Sequence, residues 1–231
     1  MPDDNMTMLQ TVVKGLEELK DEVVFVGGVV AQMYATDTAA TEIRPTKDVD
    51  CVIELSSRLK FNQLETRLRT KGFANDMSAG APICRWIYKN IKVDVMPTDE
   101  TILGFSNLWY IEGIRNKIVK ILPDGEEIFI FSPEHFLAAK FEALKSRGPA
   151  DLRQSHDFED IIYILDNNPQ MPHIIKNAGT DVKNYLIQKF TGILADPNIP
   201  EAIETALPYG SGEERTAIIK ELIIDIIDIY Q

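Results

Sequence analysis

Hydrophobic periodicity changes once along the 231-residue chain, and that change constrains the fold more than any other feature. Before Phe131 the apolar residues come in short β-type runs: VVFV at 23–26, DVDCVIEL at 48–55, ICRWIY at 83–88, IKVDVM at 91–96, a run at 117–122 and IFIF at 128–131. After it they recur at helical spacing toward the C-terminus. Strands gathered in one part and helices in the other define an α+β half followed by an α-helical half. We therefore expect domains over 1–131 and 132–231. Ser132 reads as an N-cap, with Pro133 opening a helix that runs to about Ser146.

Further local signals fill in the pattern. Helices are expected over Met8–Lys20, Val29 to about Thr36, Ser57–Lys71 with Gly72 as C-cap, about Ser155–Leu165, Asp181–Leu194 and Glu213–Tyr230. Thr36–Lys47 reads as a polar loop. Lys89-Asn90 and the PDGEE stretch read as hairpin turns. The final helix, TAIIKELIIDIIDIY, is apolar over more than half its surface, which fits deep burial or a dimer contact, with burial the expectation.

Composition narrows the partners. A net charge of -12 argues against a constitutive nucleic-acid binder, although Lys140, Lys145, Arg147 and Arg153 form a local basic cluster suited to a phosphate. No apolar run reaches the roughly 18 residues of a membrane span. The N-terminal MPDDNMTMLQ does not have the pattern of a secretory signal. Cys51 and Cys84 sit in apolar runs and read as buried thiols, so a cytoplasmic location is expected.

The chemistry concentrates in DVDCVIE. Alternate strand residues share a face, so Asp48 and Asp50 lie on one side while Val49, Cys51 and Ile53 lie on the other. The apolar side packs into a core, and the acidic side faces solvent or a cation. In IKVDVMP, Asp94 repeats the pattern; beside the first strand it would complete a set of three carboxylates suited to one or two Mg²⁺ ions and a phosphate. Gly27-Gly28 ends a strand and opens a helix, where backbone comes close to a ligand and amides favour an anion. Taken singly, a Gly-Gly pair is a tight turn, an Asp-x-Asp pair a solvated rim, and Asp94 a strand end. Their order and placement favour the metal–phosphate reading.

Two later helices carry further candidates. In 133–146, Phe136, Leu137, Phe141 and Leu144 form an apolar face with Lys140 beside it. Lys140 is either a stem lying along the core with its head in water or a phosphate ligand. In HDFEDIIYIL, Phe158, Ile161, Ile162 and Leu165 form the core face, which places Asp157 and Asp160 on the other side. There they are either ligand groups or a favourable acidic first turn. Trp86, Tyr88, Trp109 and Tyr110 read as core, and His135, His156 and His173 show no metal spacing.

GGVVAQMY…RPTKDVDCVI, with the later KVDV, resembles the nucleotidyltransferase fold of the DNA polymerase beta superfamily. The R-x-T-x-D-h-D form (h apolar) looks most like the AbiEii-type nucleotidyltransferase toxins and their relatives. SPEHFLAAKFEALKSRG…HDFEDIIYIL is similar to the family's Lys-bearing helix and the D-x-x-D helix after it, so the matched segments span 23–165 in outline. The resemblance implies a nucleotidyltransferase-like mixed β-sheet with flanking helices, followed by a C-terminal α-helical domain. It implies that Gly27, Gly28 and Thr46 contact a nucleoside triphosphate. Asp48, Asp50 and Asp94 would bind Mg²⁺, in two ions, with Asp94 activating the incoming hydroxyl. Lys140 would reach the phosphates, and Asp157 and Asp160 match the later acidic pair on the nucleotide side. The implied reaction moves a nucleoside monophosphate onto a hydroxyl, in the toxin-like setting an RNA or tRNA end, with an antitoxin as partner. A small-molecule or protein hydroxyl stays open. There are two departures from the family pattern: nineteen residues separate Gly28 from Asp48, and His156 stands where relatives carry Lys or Arg. The rival reading is a nucleotide-binding regulatory protein of the same fold without transfer activity. A plain interaction module would show no Mg²⁺-dependent nucleotide binding.

Overall fold

A computed structural model describes residues 4–36, 40, 43–148 and 151–230. Of the loop expected over Thr36–Lys47, residues 37–39 and 41–42 lie outside that set. The chain forms a mixed β-sheet with flanking helices followed by a C-terminal helical region. It divides into two compact units.

The first unit comprises the described residues of Met1–Val30 and Arg44–Ser132. Its sheet is built on β1 (Val23–Val26), whose four residues are all buried, as a central strand of continuous apolar type should be. β1 runs antiparallel to β2 (Asp48–Ile53) and parallel to β7 (Glu127–Ile130). Beyond β2 lies β5 (Ile91–Pro97), parallel to it, then β4 (Arg85–Tyr88) and the short β3 (Ala74–Asn75), each antiparallel to its neighbour. β6 (Ile118–Ile121) pairs with β7 at the other edge, giving the order β3-β4-β5-β2-β1-β7-β6.

Four helices accompany this sheet: α1 (Asp4–Leu16), α2 (Arg58–Thr70), α3 (Glu100–Leu103) and α4 (Tyr110–Arg115). α1 buries Leu9, Val12, Val13 and Leu16. The helix expected over Met8–Lys20 breaks at Glu17, whose φ of 51° ends α1, and Glu17–Asp21 is a 3-10 turn. α2 begins as expected, with the Ser57 hydroxyl accepting from the Lys60 N–H at 3.3 Å. Its C-cap is Lys71, and Gly72 follows at φ +87°. Trp86 and Trp109 are core residues, and Tyr88 stacks on Phe73 at 4.4 Å.

The α-helix expected after the glycine pair is instead a 3-10 helix, Gly28–Tyr34. Val29, Val30 and Ala31 are each fully buried in succession. Three consecutive inward residues do not fit the one-sided stripe of a surface α-helix, and β-branched valines lower α-helix propensity further.

The second unit comprises the described residues of Ala31–Ile43 and Pro133–Gln231. It contains α5 (Pro133–Arg147), α6 (His156–Asn167), α7 (Met171–Lys176), α8 (Thr180–Leu194), α9 (Ile199–Ala206) and α10 (Gly212–Ile227). Phe136, Phe141, Phe158, Phe190, Leu186, Ile219 and Ile223 fill its core, and Phe141 meets Phe190 edge-on at 5.0 Å. Tyr34 joins this core from the early segment, its ring 4.7 Å from that of Phe136. The Asn168 side chain donates to the Tyr34 carbonyl at 3.0 Å, and the Thr36 N–H donates to the Asn167 carbonyl at 2.9 Å. α10 is buried along Ile219, Ile223 and Ile226, while Ile218 and Ile224 stay exposed. α7 and α9 lie outside the helices expected from periodicity. Pro172 and Pro200 each sit in a first turn, where the missing N–H costs nothing. Among the described residues, no helix is long and apolar enough to cross a membrane.

The β4–β5 turn gives a direct test. Lys89 and Asn90 have φ of 47° and 66°, the pattern of a two-residue I′ hairpin turn, for which Asn-Gly is the favoured pair. Replacing Lys89-Asn90 by Asn-Gly should raise stability by about 0.5–1 kcal/mol, read as an increased urea midpoint at unchanged slope.

Candidate metal centre

Strand register assembles the site. Asp50 on β2 lies directly opposite Asp94 on the parallel strand β5, and Asp48 is two residues earlier on the same face. One carboxylate oxygen from each of the three lies within 4.8 Å of the others. Asp94 is buried, while Asp48 and Asp50 are half-buried. The opposite face of β2 is apolar, with Val49 and Cys51 fully enclosed, so the acidic and core faces separate as the alternation predicts.

Three carboxylates this close repel one another unless a cation offsets them. In this structure Arg85 does so. The β4–β5 hairpin places it directly across from Asp94. Its Nε donates to Asp94 Oδ1 at 2.8 Å and its Nη2 to Asp94 Oδ2 at 2.6 Å, a bidentate pair. The same Nη2 reaches Asp48 Oδ2 at 3.2 Å. The bonds to Asp94 push the Arg85 pKa above its ordinary value, against the opposing effect of burial.

Two further residues hold the acidic strand in place. The Thr46 hydroxyl donates to Asp48 Oδ1 at 3.3 Å. The backbone around it is anchored by Asn5 of α1, which is buried. Asn5 Oδ1 accepts from the Thr46 N–H at 2.8 Å, and its Nδ2 donates to the Arg44 carbonyl at 3.0 Å. Gly27 follows Val26, the ladder partner of Asp50, and packs against the Asp50 side chain. It has φ +75°, and a Cβ added there would collide with the Asp50 carboxylate. The first glycine is therefore required twice, by its backbone angle and by the acid packed against it.

The donor set decides which metal fits. Three carboxylates supply hard oxygen ligands of the kind Mg²⁺ and other hard divalent cations prefer. The nearby thiols do not compete. Burial pushes Cys51 well up, and burial together with the Asp94 charge pushes Cys84 up to about 12, so both stay protonated at neutral pH.

The remaining predicted residues form a separate network in the second unit. Lys140 of α5 lies 2.6 Å from Asp160 Oδ2 and 3.2 Å from Asp157 Oδ1, and Arg147 Nη1 lies 2.5 Å from Asp157 Oδ2. Asp160 is 0% exposed and Asp157 3%. The expectation that these acids lie on the side of α6 away from the core is therefore wrong. α6 is enclosed on nearly every side, and Lys140 compensates both acids inside the protein. The basic cluster is offset throughout: Lys145 pairs with Glu142 at 3.1 Å, and Arg153 with Asp151 and Glu201, each at 2.6 Å.

Periodicity reasoning missed Arg85 and Asn5. Arg85 was legible: a two-residue turn at 89–90 pairs 88 with 91 and hence 85 with 94. Asn5 carries no such signal, since its partners are backbone groups about forty residues away.

No protein-family model matches the chain, and no curated protein sequence does. Among solved structures, the chain is similar to JHP933 from Helicobacter pylori, with a TM-score of 0.47 and 11% identity over 97% of this chain and 91% of the other. It is also similar to a chain described as a "putative nucleotidyltransferase from H. pylori", with a TM-score of 0.46 and 11% identity over 97% and 94%.

Three substitutions test this description. Gly27→Ala should cost about 1–2 kcal/mol through the left-handed backbone alone, and more because Asp50 has to move; urea denaturation measures it. Lys140→Met leaves two buried carboxylates without their ammonium and should cost about 3–5 kcal/mol. Adding Asp160→Asn to it should recover part of that loss in the same measurement.

Proposed function

We propose that this protein is a metal-dependent nucleotidyltransferase that moves a nucleoside monophosphate from a nucleoside triphosphate to a hydroxyl group. One observation carries the reading: Asp48, Asp50 and Asp94 converge from two parallel neighbouring strands, with Gly27 packed against Asp50. The motif resemblance around Gly27-Gly28, Thr46 and the Asp-x-Asp strand points the same way.

Asp48, Asp50 and Asp94 would hold Mg²⁺, in a pair of ions. Mg²⁺ there would neutralise phosphate charge and stabilise the attacking and leaving oxygens. The backbone at Gly27 and Gly28 would lie along the triphosphate, with Thr46 beside it and Lys140, Asp157 and Asp160 as further nucleotide-side residues. Asp94 would accept the proton of the acceptor hydroxyl as its oxygen bonds to the α-phosphorus. The bond from that phosphorus to the bridging oxygen breaks, and pyrophosphate leaves. The protein's contribution is positioning and fixed charge rather than covalent chemistry.

The Arg-x-Thr-x-Asp-h-Asp form supports an AbiEii-type assignment, in which the acceptor is RNA or a tRNA end, the setting is the cytoplasm and a toxin is restrained by an antitoxin. The net charge of -12 favours an acceptor held by local contacts rather than by a broad basic surface.

The test incubates purified protein with Mg²⁺, each α-labelled nucleoside triphosphate in turn and total RNA, with Asp50→Asn as control. Label should enter RNA with the unsubstituted protein and fall at least about a hundredfold in Asp48→Asn and Asp50→Asn, as loss of a major electrostatic contribution predicts. Equal labelling by the substituted proteins sinks the proposal. Triphosphate binding without transfer to RNA, small-molecule or protein hydroxyls assigns the chain to nucleotide sensing instead.

A further inference from the structure

The oxygens of Asp48 and Asp94 are already engaged. Asp94 Oδ1 and Oδ2 accept from Arg85 at 2.8 and 2.6 Å, Asp48 Oδ2 accepts from the same guanidinium at 3.2 Å, and Asp48 Oδ1 accepts from Thr46 at 3.3 Å. Asp48 and Asp94 are two of the three groups that bring ligand atoms within 4.8 Å of one another. A divalent cation on those oxygens would stand within a few ångströms of a group that stays positively charged at all working pH values.

We propose that Arg85 is the centre's resident counterion and exchanges with the metal, so that the ion enters as the Arg85 Nη2 leaves Asp48 and Asp94. This rests on the metal reading above and adds a residue that the carboxylate triad does not contain. The geometry says where exchange begins. The contact to Asp48 is the longest of the three made by the guanidinium, and Nη2 divides its donation between two acids. Nε holds Asp94 on its own, so the side chain can release Asp48 and remain tethered. Arg85 is half-buried on β4, with its backbone fixed by the ladder to β5, and movement is confined to its side chain. Exchange makes two demands opposite in sign. Arg85 stabilises the metal-free fold by offsetting the three acids, and it weakens metal binding by occupying their oxygens.

The test titrates Mn²⁺ into the full chain and reads free Mn²⁺ by electron paramagnetic resonance. Arg85→Gln should bind Mn²⁺ at least about tenfold more tightly than the unsubstituted protein, because a fixed positive charge next to the site is gone. Its metal-free Tm should fall, and Mn²⁺ should restore it. Arg85→Lys, which keeps the charge but not the bidentate fork, should bind more like the unsubstituted protein. Unchanged or weaker Mn²⁺ binding by a folded Arg85→Gln overturns the proposal. A second measurement does not depend on Arg85→Gln: the Arg85 Nε–H resonance of the unsubstituted protein, assigned by its loss in Arg85→Lys, should move on Mg²⁺ saturation. A resonance that stays fixed while metal binds overturns the proposal. Absence of binding in both the unsubstituted protein and Arg85→Gln, matching Asp50→Asn, overturns the metal centre itself and this inference with it.

Discussion

Repulsion among Asp48, Asp50 and Asp94 is the constraint around which the first unit is arranged. Carboxylates on neighbouring strands of one sheet face do not stay ionised together without compensation. The hairpin that carries Arg85 to Asp94 provides it. Thr46 adds a hydroxyl to Asp48, and Asn5 fixes the backbone from which Thr46 reaches. Gly27 gives up a side chain so that Asp50 has room. Each of these residues looks unremarkable in its own segment. Their common purpose emerges only when the acids are treated as a single electrostatic problem.

The second unit solves a related problem differently. Asp157 and Asp160 are interior, and Lys140 and Arg147 reach them from α5 across to α6. Burying ions is costly, and the mutual attraction offsets that cost only when every partner is present. In the first unit Asp48 and Asp50 are half-buried beside the buried Asp94. The interior acids of the second are closed off by their own protein partners. The same pairing of carboxylate with cation thus occurs on a half-buried sheet face in one unit and in the interior of the other.

Much of this was legible in the sequence because alternation is unforgiving. Asp48 and Asp50 opposite Val49 and Cys51 admit one orientation of β2, and Asp94 between Val93 and Val95 admits one of β5. The positive φ at Lys89 and Asn90 follows from a two-residue turn, and so does the Arg85–Asp94 pairing. Other features were hidden for identifiable reasons. The segment after the glycine pair becomes a 3-10 helix because Val29, Val30 and Ala31 are all enclosed, which is a tertiary demand. Asp157 and Asp160 looked outward because helical spacing says which residues share a side but not whether a lysine from another helix waits there. α7 and α9 are short, and each carries a proline in its first turn, so neither shows a clear helical period.

Continuity of chain and continuity of structure differ here. The backbone leaves the first unit after Val30, lends Ala31–Ile43 to the helical unit, and returns at Arg44, two residues before Thr46. Tyr34, in that loan, packs its ring against that of Phe136, which is translated about a hundred residues later. The helical unit therefore has no single contiguous coding segment, and a fragment starting at Pro133 would lack one of its own core rings. During synthesis the acidic strand and its counterion are made before the helical unit can close.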